Sequence, residues 1–316
     1  MKLYKYQGAG NDFLIADNRD GHISEKDGIL TIQNPDGTVC RRVISDLCDR
    51  RYGVGADGLM LLDSSQTHSF SMKYFNSDGS GGMMCGNGGR CIAAFAADMG
   101  INTFDFEAPD GMHAAEVGDC EQGIRIVRLL MKNACAPVRY DALDDVDVPS
   151  DGWYADTGTF HFVRKVQELD AYDVTGEGRS IRYSAAFAPI GTNVNFVEPV
   201  EGGIKVRTYE KGVEDETNAC GTGVVASALS AYVGNIGSFS NNEGRISYEV
   251  WTKRDLLKVD FRCPEDGSDL FEDIWLTGPA TFVAEVNLPS ALPSSTLPIP
   301  QPPFLGKGTY LRSEGL

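Results

Sequence analysis

The sequence predicts a mixed α/β (α+β) chain in which one domain plan is used twice. Three observations carry that expectation. The 316 residues exceed the usual size of one compact domain, so two domains on a shared plan are expected. Short apolar runs punctuated by Gly, Asn and Asp turns recur along the chain, as strands do. One phrase then occurs around Cys85 and again around Cys220: a strand, a polar loop, Cys-Gly-x-Gly and a helix of small residues.

The elements follow in order. Lys2-Leu3-Tyr4-Lys5-Tyr6 alternates like a strand, Gly8-Ala9-Gly10 turns the chain, and Phe13-Leu14-Ile15-Ala16 resumes an extended run. Val43 to Arg51 predicts a short helix and Leu59-Met60-Leu61-Leu62 a buried strand. Ser71-Met72-Lys73-Tyr74-Phe75 reads as a strand, ended by Asn76-Ser77-Asp78-Gly79, whose residues favour a turn. After Met84-Cys85-Gly86-Asn87-Gly88-Gly89-Arg90 comes Cys91-Ile92-Ala93-Ala94-Phe95-Ala96-Ala97, a strong helix former with almost no polar face. Such a helix belongs in the interior.

The second copy has Val206–Glu210 as the strand, Lys211–Thr217 as the loop, then Cys220-Gly221-Thr222-Gly223 leading into Val224–Ala231. With the cysteines aligned, Tyr74 falls on Tyr209, Gly86 on Gly221, Gly88 on Gly223, Ala93 on Ala228 and Ala96 on Ala231. A fainter pair sets Asn11-Asp12-Phe13 against Asn193-Val194-Asn195-Phe196. Two copies are too few for a solenoid, so a duplicated domain is expected. Ala134-Cys135-Ala136-Pro137 breaks a strand-like run and sets the boundary. The halves are residues 1–134 and 135–276, with a returning strand at about 277–288 that joins the first half. Trp275–Val283 reads as a final turn and strand, and the Pro- and Ser-rich residues 289–316 as an extended or disordered tail.

Composition narrows the function. With 42% hydrophobic and 23% charged residues the chain suits a soluble globular protein. A net charge of -17 argues against nucleic acid, whose phosphates need clustered Lys and Arg. No apolar run approaches the ~20 residues that cross a bilayer, and no signal peptide is evident at Met1–Gly10. A cytoplasmic protein without a membrane partner is expected. Its eight cysteines form no C-x-x-C, and His22, His68, His113 and His161 show no ligand spacing, so neither a disulfide framework nor a metal is expected.

Cys-Gly-x-Gly at a helix start has a chemistry of its own. The glycines let the backbone approach a ligand closely. The first helical N–H groups lack internal partners and suit a carboxylate. The same field favours the thiolate of a cysteine placed there. Two such motifs facing each other would put one thiol on each side of a carbon, as stereochemical inversion requires.

Gly8-Ala9-Gly10-Asn11-Asp12-Phe13, Arg51-Tyr52-Gly53-Val54-Gly55-Ala56-Asp57-Gly58, Met84-Cys85-Gly86-Asn87-Gly88, Ala219-Cys220-Gly221-Thr222-Gly223 and Leu276-Thr277-Gly278-Pro279-Ala280 together resemble diaminopimelate epimerase. The resemblance runs from about Met1 to Leu288. It implies two pseudosymmetric halves, each a curved mixed or antiparallel sheet wrapped around a central helix. It also implies isomerisation of LL-diaminopimelate to the meso form, on the route to lysine and peptidoglycan, without pyridoxal phosphate, other cofactor or metal. By position, Cys85 and Cys220 are then the catalytic acid and base. Gly86 and Asn87, with Gly221 and Thr222, supply donors around the reacting carboxylate. Asn11, Asn76, Asn193, Glu210 and Lys211 match substrate-gripping positions, and His161 flanks the centre. Lys211 stands in place of a more usual arginine, Thr159 in place of an asparagine, and Gly58 in place of a polar side chain in some members.

Each has a plainer reading: a turn residue for Asn76, strand ends for Asn11 and Asn193, a core histidine for His161, a solvated pair for Glu210 and Lys211. The nearest rival function is a proline or hydroxyproline racemase with the same kind of cysteine pair. A rival of another class is a non-enzymatic anion-binding or thiol-redox protein, which leaves the duplicated motif unexplained. The expected partner is a small molecule, and a homodimer is the assembly to test.

Overall fold

The computed structural model describes residues 1–140, 151–263 and 268–289, so all but the first residue of the expected tail lies outside the described residues. Strands dominate. Lys2–Gly8 pairs antiparallel with Asn11–Asn18 across a turn in which Ala9 and Gly10 take φ of 51° and 95°. Asn11–Asn18 runs parallel to Gly58–Asp63, which pairs antiparallel with Phe70–Asn76. That strand runs parallel to Asp105–Ala108, and Gly111–Glu121, Ile124–Leu130 and Leu270–Asn287 follow antiparallel in turn. Leu270–Asn287 pairs again with Lys2–Gly8 and closes the circuit.

A second circuit repeats the order. Gly152–Asp156, Phe160–Lys165, Asn193–Val200, Gly203–Glu210, Arg245–Trp251, Leu256–Arg262 and Leu270–Asn287 pair successively. Their senses are antiparallel, parallel, antiparallel, parallel, antiparallel, antiparallel, the same as in the first circuit. The duplicated plan is therefore present in the hydrogen bonding as well as in the cysteine motifs. Each circuit surrounds one buried helix, as the sequence led us to expect.

We label the α-helices α1 (Ile44–Cys48), α2 (Gly86–Asp98), α3 (Val174–Arg182) and α4 (Gly221–Val233). In α2, Gly86 through Ala96 are all buried; in α4, Gly221 and Gly223 through Ala231 are. Small residues permit this, because strands can approach a helix without a polar face from every side. Phe13, Met60, Phe70, Phe106 and Leu129 pack around α2, and Val163, Ile204, Val250, Val259 and Phe271 join the core around α4. A small sheet of Ile23–Lys26, Ile29–Gln33 and Val39–Val43 covers Leu14, Leu59 and Leu61 on the first half.

Four expectations change. The proposed match of Asn11-Asp12-Phe13 with Asn193-Val194-Asn195-Phe196 fails, since Asn11 opens the second strand of its circuit and Asn193 the third. Asn193 instead occupies the place of Gly58; asparagine recurs at strand ends for local reasons and misleads a short alignment. The loop Lys211–Thr217 contains a short strand, Asp215–Thr217, which returns antiparallel along Gly203–Glu210. It is fastened by Glu216 Oε1, which accepts from Arg207 Nε at 2.7 Å. Trp275–Val283 holds no turn: Leu270–Asn287 is one strand through Gly278-Pro279. Along one edge it pairs with Leu256–Arg262 up to Thr277 and with Lys2–Gly8 from Thr281, and Pro279 falls between these partners. A residue without an N–H is tolerated where one edge is unpaired. Finally, the helix expected over Val43–Arg51 is only Ile44–Cys48, ended by tight backbone bonds around Asp49 and Gly53.

Candidate active site

The two helix N-termini meet. A Cβ placed on Gly221 would lie 3.1 Å from Gly86 Cα, and one on Gly86 would lie 3.4 Å from Gly221 Cα and 3.0 Å from Leu276 Cδ2. Glycine at both positions is what allows the helix starts this close. Leu276, on the strand shared by both circuits, packs against the pair. Each cysteine is the residue before its helix, with extended backbone, so its thiol stands at the positive end of the dipole. Both are free thiols; Cys85 is exposed and Cys220 is 7% exposed.

Around Cys85, Gly88 N–H donates to the sulfur at 3.3 Å. Asn87 is buried and its side chain is committed. Its Nδ2 donates to Asn11 Oδ1 at 2.6 Å and to Ala219 O at 3.1 Å, while Arg90 Nη2 donates to its Oδ1 at 2.9 Å. Asn87 thus ties the first motif to the residue preceding Cys220. Asn11 also donates from Nδ2 to Asp57 Oδ2 at 3.0 Å. Asp57 and Asp12 are held by Arg50, and Asp12 also by Lys5.

Around Cys220 a chain of polar groups leads inward. Thr222 Oγ1 lies 3.4 Å from Cys220 Sγ and 3.0 Å from His161 Nε2, and Thr159 Oγ1 lies 2.9 Å from the same ring nitrogen. On the other side of the ring, Asn195 Nδ2 donates to His161 Nδ1 at 3.0 Å and to Phe162 O at 3.3 Å. The carbonyl of Phe162 can only accept, which orients the Asn195 amide; His161 Nδ1 then accepts and Nε2 carries the proton. Thr208 Oγ1 donates to Asn195 Oδ1 at 2.9 Å. Burial pulls the His161 pKa down to about 3, so the ring is neutral. Gly223 makes room for this chain: a Cβ there would stand 2.4 Å from Asn195 Oδ1.

The electrostatics differ from the simple helix-dipole expectation. Loss of water around the buried Cys220 thiol pushes its pKa up, and the charge of Glu210 pushes the same way. Thr222 and Gly223 N–H oppose the rise at Cys220, and at the exposed Cys85 the Gly88 N–H and Arg90 favour the thiolate. At Cys220 desolvation outweighs the dipole. Glu210 is itself raised, first by burial and then by Asp57.

The remaining sequence candidates fall at the margin. Asn193 is buried, donates to Phe160 O at 2.9 Å and accepts from Lys211 N–H at 2.9 Å, so its amide holds the Glu210–Lys211 turn. Asn76, expected to grip substrate, donates to Ser80 Oγ at 3.0 Å and accepts Gly79 N–H at its carbonyl, the contacts of its plainer reading as a turn residue. Lys211 is exposed, and among the described residues no carboxylate pairs with its ammonium. Sequence reasoning missed Asn195, Thr208 and Arg90 as site residues. Asn195 and Arg90 lie within the recurring segments, but nothing in a sequence separates a buried polar contact from a strand-end asparagine or a surface arginine.

A family model described as diaminopimelate epimerase matches residues 3–131 and 153–250. A diaminopimelate epimerase of Flavobacterium psychrophilum is 39% identical over 293 residues, covering 91% of this chain and 100% of that protein. One from Chlorobaculum tepidum is 38% identical over 284 residues, covering 87% of this chain and 96% of its own. Among solved structures, a probable proline racemase from Agrobacterium radiobacter superimposes with a TM-score of 0.63 at 14% identity, over 94% of each chain.

Proposed function

The chain belongs to the diaminopimelate epimerase family, and from that premise we propose that Cys85 and Cys220 exchange protons with opposite faces of one substrate carbon. The protein is an isomerase that converts LL-diaminopimelate to the meso form in lysine biosynthesis. The observation that carries the site assignment is the contact of Gly86 with Gly221, which sets two cysteine-capped helix N-termini against each other. Likeness to the racemase, at 14% identity, concerns the fold alone.

The site's chemistry suits an α-amino acid. First-turn N–H groups of α2 and α4 receive the reacting carboxylate and stabilise the charge that grows on it as the α-proton leaves. Glu210 receives the ammonium. The ammonium charge offsets Glu210 and lets one thiol ionise as substrate binds. One thiolate then removes the α-proton while the opposite thiol delivers its own proton to the other face. Afterwards the two have exchanged states. Lys211, exposed beyond Asn193, takes the distal carboxylate. His161 and Thr159 orient the Thr222 hydroxyl toward Cys220. The homodimer and cytoplasmic setting belong to this proposal too.

Incubation of the purified chain with LL-diaminopimelate and separately with L-proline, followed by chiral separation, tests it. We expect inversion of the first and none of the second. Cys85→Ala and Cys220→Ala should each abolish inversion with circular dichroism unchanged; activity near normal in either variant removes that cysteine from the mechanism.

A further inference from the structure

Arg90 lies on the second turn of α2 and is wholly buried. Among the described residues its guanidinium donates only to uncharged groups, Gly86 O at 3.3 Å and Asn87 Oδ1 at 2.9 Å, and its Nε has no hydrogen-bond partner. A charge this deep without a carboxylate is strongly unfavourable. The fold nonetheless makes room for it: a Cβ on Gly278 would stand 3.3 Å from Arg90 Nε. A cation held at such cost, with both its bonds directed at the first residues of one helix, calls for an anion at that helix start.

We infer that Arg90 is a positioning residue for epimerisation, holding Gly86 and Asn87 in place and supplying the buried positive charge that offsets negative charge at Cys85. Arg90 acts through its hydrogen bonds to Gly86 and Asn87 and through its charge near Cys85. The position that matches it in α4 is Val225, so Cys220 has no such support and relies on Thr222, His161 and Asn195. Other titratable groups bear on the pair. Glu210 acts on Cys85, Cys91 and Asp255 act on Arg90, and Tyr74 and Cys220 both feel Cys85. The two thiols are therefore unequal: loss of Arg90 weakens one face of the reaction.

The inference rests on the two-cysteine reading, and its test can be scored apart from that reading. Iodoacetamide alkylation of the whole protein at about pH 8, close to the range of a free thiol, is followed at each cysteine by peptide mass spectrometry. Arg90→Gln should slow alkylation of Cys85 about tenfold, the effect of one pKa unit, and leave Cys220 within about twofold. Arg90→Lys, which keeps the charge, should restore most of the Cys85 rate. Both variants should lower kcat in step with the Cys85 rate. Equal slowing at both cysteines, or an unchanged Cys85 in folded Arg90→Gln, overturns the inference. Should Arg90→Gln not fold, Arg90→Met, which removes the charge and keeps an extended side chain, is scored on the same two outcomes. Full activity in Cys85→Ala would remove the two-cysteine reading alone.

Discussion

At the residue scale, the buried polar groups around Cys220 are as informative as the thiol. His161 is neutral because burial lowers its pKa from 6.5 to about 3, and Asn195 sets its tautomer. The lowered value makes the folded state the poorer proton binder. Its contribution is fully present above the unfolded value of 6.5 and is lost as pH falls toward 3. From 6.5 down to about pH 5 the cost is about 2 kcal/mol. Urea melts of the wild type across that range should show the fall, and His161→Gln should lack this part of the slope. Equal slopes in both proteins would mean that the buried ring does not govern acid stability.

At the scale of elements, the decisive contact is between the starts of α2 and α4. Gly221→Ala puts a methyl group 3.1 Å from Gly86 Cα, and the neighbour there is backbone, which cannot rotate aside. The helices must part by a few tenths of an ångström. Helix propensity works the other way, favouring alanine by up to about 1 kcal/mol. We therefore expect kcat/KM for diaminopimelate to fall by ten- to a hundredfold, about what misplacement of a reacting group costs. The melting temperature should change little. An unaltered kcat/KM would show that the helix starts need not be this close for turnover.

At the scale of the molecule, each half brings one thiol, and the strand Leu270–Asn287 belongs to both circuits. Two separate proton carriers leave an isotopic signature. The thiol that donates has equilibrated with solvent before substrate arrives. In deuterated water, product should carry deuterium at the inverted carbon from the first turnover, while recovered substrate stays largely unlabelled early on. Mass spectrometry of both stereoisomers at low conversion reads this directly. Unlabelled product would require one group to serve both faces, and the opposed arrangement of Cys85 and Cys220 would have to be given up.

Much of this was legible in residue order alone. The repeated strand, loop, Cys-Gly-x-Gly and small-residue helix foretold a duplicated plan with α2 and α4 inside, because helices without a polar face have nowhere else to go. The five glycine-rich phrases pointed to the family. The tertiary structure decided what depends on strand order and on neighbours distant in sequence. It matched Asn193 with Gly58, since parallel pairing follows the path of the chain and not the spelling of its strand ends. It joined Asn87 to Asn11 and Ala219, and His161 to Asn195 and Thr222. It also reversed the expected direction of the Cys220 pKa, because a dipole is visible in a motif but the loss of water around it is not. Sequence determined which groups stand at the helix starts; packing decided what surrounds them, since burial is a property of the assembled chain.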